Sequence, residues 1–126
     1  MVSAANPYAV KAAISILEKG GSATDAAIAA HLVLGLVEPQ SSGLGGGGFI
    51  LNYDFKTNNL TFIDGRETAP ASAKIDMFMK DDGNVMSFME AVPSGKAVGT
   101  PGIVALYETA HKAYGLLPWP MLFEDA

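Results

Sequence analysis

The sequence predicts an α+β fold, in which helices and strands occupy separate stretches of the chain. Two capped helical patterns come first, and two strand patterns joined by a short turn follow at residues 49–64. A third long helical pattern begins near residue 100. Because the two strands follow each other directly, we expect them to form an antiparallel hairpin.

The first predicted helix begins at Asn6, which is expected to cap it, with Pro7 in the first helical position. Apolar residues then recur at helical spacing, at Val10, Ala13, Ile14 and Leu17. The glycine pair 20–21 is typical of a helix C-terminus, so the helix is predicted to end there.

The second predicted helix covers residues 23–36 and is apolar almost all round. Ser22 is its expected cap, and Asp25 lies three residues later, where a carboxylate favours the positive end of a helix. A helix without a polar face is typically buried between other elements, and its alanines permit close approach to a neighbour. Glu38 and Pro39 are expected to end it.

A loop with five glycines in residues 43–48 leads into the predicted strands 49–54 and 60–64. The turn between them is expected at residues 56–59. Alternation along the first strand places three large apolar side chains on one face, namely Phe49, Leu51 and Tyr53.

The stretch after the hairpin is predicted to contain a short helix at residues 75–79, a turn at 81–84 and at most a short strand at 97–98. A cluster of apolar side chains is expected to pack in the core or at an interface: Met77, Phe78, Met79, Met86, Phe88 and Met89.

Thr100 and Pro101 are expected to start the third long helix, which should end at Gly115. Its predicted buried stripe consists of Ile103, Leu106, Tyr107 and Ala110.

Composition limits the classes of function. The net charge of −5 argues against a nucleic-acid partner. The chain has no cysteine, which excludes disulfides, thiol catalysis and cysteine-ligated metals. The longest apolar stretch, residues 26–37, is too short to span a bilayer, and the first residues do not resemble a signal peptide.

Arg66 is the single arginine in the chain, and the other seven basic residues are lysines. It follows a predicted strand directly, within the segment Asp64-Gly65-Arg66-Glu67. A guanidinium is suited to bidentate binding of a carboxylate or phosphate. An ion pair with neighbouring Asp64 or Glu67 is the alternative, and the local sequence leaves both open.

Residues 43–48 also satisfy the pattern GxGxxG of dinucleotide-binding proteins. That pattern requires a strand before the glycines and a helix after them, whereas here the predicted order is reversed. We therefore expect the loop to serve close backbone packing, or a nest of amides. The two histidines, His31 and His111, have no metal-ligand spacing, and no serine or threonine has the setting of a nucleophile.

The chain resembles the gamma-glutamyltranspeptidase family over nearly its whole length. The motifs that carry the resemblance are Asn6-Pro7, residues 20–27, Glu38-Pro39, residues 42–49, residues 64–70, residues 98–102 and residues 114–119. By this resemblance the fold is the αββα sandwich of the N-terminal-nucleophile hydrolases. Residues 1–126 are expected to form only an N-terminal portion of the large subunit, truncated at both ends.

The resemblance implies gamma-glutamyl transfer or hydrolysis with glutathione or a related donor, through an N-terminal threonine that autocleavage frees in a separate small subunit. Arg66 would bind the α-carboxylate of the donor, and Glu67 is a second candidate, as a partner that orients Arg66. No catalytic residue is expected in this chain, which alone is expected to be inactive, and no metal or cofactor is implied.

The expected partners are the donor, the remainder of the large subunit and the small subunit; self-association of the segment is left open. Family members are periplasmic, secreted or membrane-anchored, and the residues do not select a compartment. The alternatives are a related acylase or capsule-processing transpeptidase, a non-catalytic interaction module, and a nucleotide-binding module.

Overall fold

The computed structural model describes residues 1–126 as an α+β arrangement with a two-stranded antiparallel sheet. In chain order the elements are α1 (Pro7–Glu18), α2 (Ala23–Val37), β1 (Gly48–Asp54), β2 (Asn59–Gly65), α3 (Phe88–Ala91), a 3₁₀ helix (Gly95–Ala97), α4 (Ile103–Tyr114) and a second 3₁₀ helix (Trp119–Phe123). No helix combines the length and the apolar character needed to cross a bilayer.

Helices α1 and α2 begin where the sequence predicts. The Asn6 side chain accepts a hydrogen bond from the amide of Tyr8, and Pro7 occupies the first helical position. Ser22 and Asp25 form a reciprocal capping box at the start of α2. These caps satisfy amides that have no partner within the helix, so local sequence is sufficient to fix both helix starts.

Asp25 is fully buried and connects α2 with the segment that follows α4. Its Oδ2 atom accepts hydrogen bonds from the amides of Ser22, Leu116 and Leu117, at 2.9, 2.9 and 3.2 Å. Burial by itself raises the pKa of the carboxyl, but the hydrogen bonds from the three amides outweigh it and lower the pKa below its usual value. Asp25 is therefore a buried carboxylate stabilised by backbone donors.

His111 lies beside this carboxylate, with its Nε2 atom 3.6 Å from Asp25 Oδ1. The same Nε2 donates a hydrogen bond of 2.8 Å to the carbonyl of Leu117. His111 lies in the last turn of α4, and this hydrogen bond fixes the chain just beyond the helix, next to the amides that Asp25 binds.

The core forms where the alanine faces of α1 and α2 meet, with α4 and the second 3₁₀ helix beside them. Its largest fully buried apolar side chains are Ile16, Ile28 and Leu122. The predicted stripe of α4 is confirmed, since the four buried residues of this helix are Ile103, Leu106, Tyr107 and Ala110.

The hairpin places one face on the helices and leaves the other exposed. Ile50 pairs with Ile63 across the strands, and both pack against the core. On the opposite face five large apolar side chains remain 55–69% exposed: Phe49, Leu51, Tyr53, Leu60 and Phe62. We refer to these five residues as the bare sheet face.

The region between the hairpin and α4 differs from the prediction. Residues 75–79 form successive turns and not a helix, because Met79 pairs with Val85 around the turn at 81–84. A one-turn helix, α3, occurs further on, and its Phe88 and Met89 are 77% exposed, so the core alternative for these two side chains is wrong. No strand forms at 97–98, where the sequence allows at most a short one, since the 3₁₀ helix extends to Ala97.

Thr100 does not cap α4, which begins at Ile103 with Gly102 in the capping position. Thr100 instead forms an isolated bridge with Thr68. The amides of Gly102 and Ile103 donate to the carbonyl of Gly46, at 3.0 and 3.1 Å. A backbone group from the glycine loop thus provides the cap that the local sequence attributes to Thr100.

Replacing Asp25 by alanine removes the acceptor of three amides. We expect Asp25→Ala to lower the free energy of unfolding by about 3 kcal/mol, because each hydrogen bond to a charged group contributes about 1.5–3 kcal/mol and the three are not additive. Since the folded-state pKa is lowered, this stabilisation is present above the unfolded-state pKa of about 3.9 and is lost as the pH falls through the folded-state value.

Urea unfolding followed by circular dichroism at neutral and acidic pH tests this expectation. Glu18→Ala is the matched control, because Glu18 is an exposed carboxylate in α1. Equal losses in the two variants at neutral pH would contradict the role of Asp25.

Candidate functional site

The segment around Arg66 follows β2 directly, and hydrogen bonds of its backbone fix its conformation. The carboxylate of Asp64 accepts a hydrogen bond of 2.9 Å from the amide of Arg66. Two residues further on, Thr68 and Thr100 exchange backbone hydrogen bonds of 3.3 and 2.8 Å. The segment is thus held on both sides of the arginine.

The glycine loop packs directly on this segment. A Cβ atom added at Gly47 would lie 2.5 Å from the carbonyl oxygen of Gly65 and 2.7 Å from the amide nitrogen of Glu67. On the other side, a Cβ atom at Gly102 would lie 2.2 Å from the same carbonyl oxygen. Because real Cβ atoms do not approach backbone this closely, both positions require glycine. The predicted close backbone packing of the loop is therefore confirmed.

The loop connects a helix to a strand, since it runs from α2 to β1. This is the reverse of the order in dinucleotide-binding proteins, as the sequence predicts. Its Gly46 carbonyl, and not its amides, caps the start of α4.

The guanidinium of Arg66 is exposed and has no acidic partner. Three lysine–glutamate ion pairs occur, between Lys19 and Glu124, Lys80 and Glu90, and Lys112 and Glu108, and the one further contact of this kind is between His111 and Asp25. The carboxylate of Asp64 is engaged with the backbone of Arg66 and not with its side chain. An ion pair with Asp64 or Glu67 is thus not formed, and the guanidinium is available to a ligand.

A cavity of about 660 Å³ opens beside Arg66. Its lining combines three charged side chains, Arg66, Glu67 and Lys96, with apolar ones that include Met77 and Phe78. Such a lining suits an amphipathic ligand that carries negative charge.

Glu67 lines the same cavity but forms no ion pair with Arg66. Its side chain lies close to the backbone of two glycines. A Cβ atom added at Gly46 would lie 3.2 Å from Glu67 Oε1, and one added at Gly99 would lie 3.0 Å from Glu67 Cβ. The role of Glu67 in orienting Arg66 therefore stays a prediction.

The structure also brings together three polar side chains next to the glycine loop, those of His31, Ser42 and Tyr107, which the sequence does not indicate. Nε2 of His31 lies 3.0 Å from Ser42 Oγ, and Nδ1 is hydrogen-bonded to the Tyr107 hydroxyl. This set joins α2, the start of the glycine loop and α4. Ser42 and Tyr107 are far apart in sequence, so no spacing pattern indicates that they meet at one histidine.

Burial shifts the pKa of two of these side chains. It lowers the pKa of His31 and raises the pKa of the Tyr107 hydroxyl. A neutral imidazole has one donor and one acceptor nitrogen, which the two hydroxyls can satisfy together. His31 is thus a half-buried residue whose two ring nitrogens both have hydrogen-bond partners.

No group of three or more histidine or acidic side chains converges anywhere in the structure. The charged side chains that line the cavity are two cations, Arg66 and Lys96, and one carboxylate, Glu67, a set that attracts an anion.

Comparison with known proteins identifies one family. The family model for gamma-glutamyltranspeptidase matches residues 9–126. The glutathione hydrolase proenzyme of Bacillus subtilis (strain 168) is 46% identical over 115 residues, which cover 91% of this chain and 20% of that protein. The chain thus spans about a fifth of the length of the curated relatives it matches.

Two solved structures show the same arrangement. The gamma-glutamyltranspeptidase of Pseudomonas nitroreducens, complexed with L-DON, superposes with a TM-score of 0.89 at 36% identity, over 98% of this chain and 36% of that one. The transpeptidase CapD of Bacillus anthracis superposes with a TM-score of 0.74 at 39% identity, over 98% and 35%.

The close contact at Gly47 predicts that a larger residue at this position destabilises the fold. We expect Gly47→Ala to lower the free energy of unfolding by about 1–3 kcal/mol, because a methyl group inserted against fixed backbone forces that backbone to move. Gly43→Ala is the matched control in the same loop, since a Cβ atom there meets no atom within 4 Å. Urea unfolding compares the two, and a Gly47→Ala variant as stable as Gly43→Ala would contradict the close contact.

The burial of His31 predicts a measurable pH dependence. Because its folded-state pKa is lowered, stability should fall as the pH decreases below the unfolded-state value of about 6.5. Nuclear magnetic resonance titration of the ring protons should show His31 still neutral where an exposed histidine is half protonated. His111→Gln leaves His31 as the only histidine and assigns its signals; a midpoint at or above 6.5 would contradict the prediction.

Proposed function

This chain belongs to the gamma-glutamyltranspeptidase family, and on that premise we propose that it forms the N-terminal part of the large subunit of such an enzyme. The complete protein would transfer or hydrolyse the gamma-glutamyl group of glutathione and related donors. The B. subtilis relative is named a glutathione hydrolase proenzyme, which supports both the donor and a precursor that requires processing.

The observation that carries the proposal is the unpaired guanidinium of Arg66 at the edge of a cavity. A donor of this class presents an α-carboxylate, and a guanidinium can bind both of its oxygens in one plane. The backbone of Arg66 is fixed by Asp64 and by the glycine loop. Little conformational freedom of the backbone would therefore be lost when the donor binds.

Glu67 is proposed as the second substrate-site residue. It borders the cavity of Arg66 and also a neighbouring cavity of about 370 Å³ that His31, Ser42 and the glycine loop line. A carboxylate between the two could orient the arginine once a donor has drawn the guanidinium inward.

In the proposed reaction the nucleophile is the threonine at the N-terminus of the small subunit. Its free amine takes the hydroxyl proton as the oxygen attacks the gamma-carbonyl carbon, and the donor's amine leaves with a proton. Water or an acceptor amine then attacks the resulting ester, which restores the threonine. Arg66 would contribute by holding the α-carboxylate so that the gamma-carbonyl meets the nucleophile. These steps need no metal ion or organic cofactor.

We also propose that residues 1–126 are one part of an αββα sandwich. The bare sheet face supports this assignment, because a contiguous apolar surface on a sheet is typically covered by another layer. The helices already occupy the opposite face of the hairpin. The remainder of the large subunit and the small subunit would supply further strands and the second sheet.

A transpeptidase with a different donor is the second candidate. It is favoured by the likeness to CapD, which is named a transpeptidase. Both candidates would share the same fold, so the donor that is turned over fastest would separate them.

Replacing Arg66 by lysine keeps the charge but removes the planar pair of donors. In the complete precursor we expect Arg66→Lys to lower kcat/KM for a gamma-glutamyl donor by about 100-fold, close to 2.7 kcal/mol. Autocleavage should proceed normally, because it does not involve the donor's carboxylate.

Steady-state kinetics on the processed enzyme, with electrophoresis to follow processing, tests this expectation. Lys56→Ala serves as the control, since Lys56 lies in the hairpin turn away from the cavity. Unchanged donor kinetics in a fully processed Arg66→Lys enzyme would remove the assignment.

A further inference from the structure

The Arg66 cavity contains a second cation, Lys96, which the proposed function does not use. Lys96 belongs to the 3₁₀ helix Gly95–Ala97, which precedes the Thr68–Thr100 bridge. Lys19, Lys80 and Lys112 each form an ion pair with a glutamate, whereas Lys96 takes part in none.

The charge around the cavity differs from that of the chain as a whole. The chain carries a net charge of −5, yet the cavity lining contains two cations and one carboxylate. The carboxylate is that of Glu67, whose Oε1 faces the backbone of Gly46. With two cations and one carboxylate, the lining therefore has a net charge of +1, which a ligand with a net charge of −1 would neutralise.

The two cations belong to separate segments of the chain. Arg66 lies two residues before Thr68, and Lys96 lies four residues before Thr100. The bridge between these two threonines joins the segments at the cavity. Two cations on separate segments are suited to two anionic groups of one ligand.

We propose that Lys96 binds a second carboxylate of the donor, located on the part that leaves with the amine. The preferred donors would be gamma-glutamyl peptides with a free C-terminal carboxylate. This inference rests on the proposed function, because it assumes that Arg66 binds the α-carboxylate. The apolar side chains of Met77 and Phe78 in the lining would contact the part of the donor between its charged ends.

Two donors that differ only in the second carboxylate test the inference: gamma-glutamylglycine and gamma-glutamylglycinamide. The complete processed enzyme is compared with its Lys96→Gln and Lys96→Arg variants. We expect Lys96→Gln to raise KM for the acid about fivefold, as expected for a partly exposed ion pair. KM for the amide and kcat for both donors should not change, and Lys96→Arg should retain most of the preference for the acid.

Lys56→Gln is the matched control, because Lys56 is an exposed lysine outside the cavity. Equal effects of Lys96→Gln on both donors, or no effect on either, would overturn the inference while leaving the proposed function intact. If the wild-type enzyme turned over neither donor, the proposed function would fail, and the inference with it.

Discussion

The buried carboxylate of Asp25 is the interaction on which the helical part of the structure depends. A charge without solvent contact costs several kcal/mol unless hydrogen bonds compensate for it. Here the compensation comes from the start of its own helix and from Leu116 and Leu117, 91 and 92 residues further along the chain. The start of α2 and the segment after α4 therefore have to meet, and that meeting determines where α4 lies against the core.

Backbone contacts connect the start of α4 with the segment that carries Arg66. The first amides of α4 bind the carbonyl of Gly46, and Gly47 packs on the segment that begins at Gly65. Glycines make this possible, because any side chain in these contacts would separate the loop from the segment. The backbone of Arg66 is thus fixed by the core, while its guanidinium has no protein partner.

Strand β2 links three environments within a few residues. Ile63 faces the helices, Phe62 belongs to the bare sheet face, and Arg66 follows the strand end beside the cavity. Alternate residues of a strand point to opposite faces, so one short strand carries contacts on both of its faces and at its end. A displacement of the hairpin would therefore move Ile63, Phe62 and Arg66 together. The packing of the core, the proposed contact with a second sheet and the proposed binding of the donor are therefore coupled through this strand.

The sequence by itself determined the helix caps, the hairpin, the solitary arginine and the family motifs, since each depends on residues close together in the chain. It failed at the start of α4, where the cap expected from Thr100 is supplied by Gly46. Only the tertiary structure decided which face of the hairpin is buried, that His31 is satisfied by two distant hydroxyls, and that Arg66 has no acidic partner. These features depend on contacts between residues far apart in sequence, which local patterns do not encode.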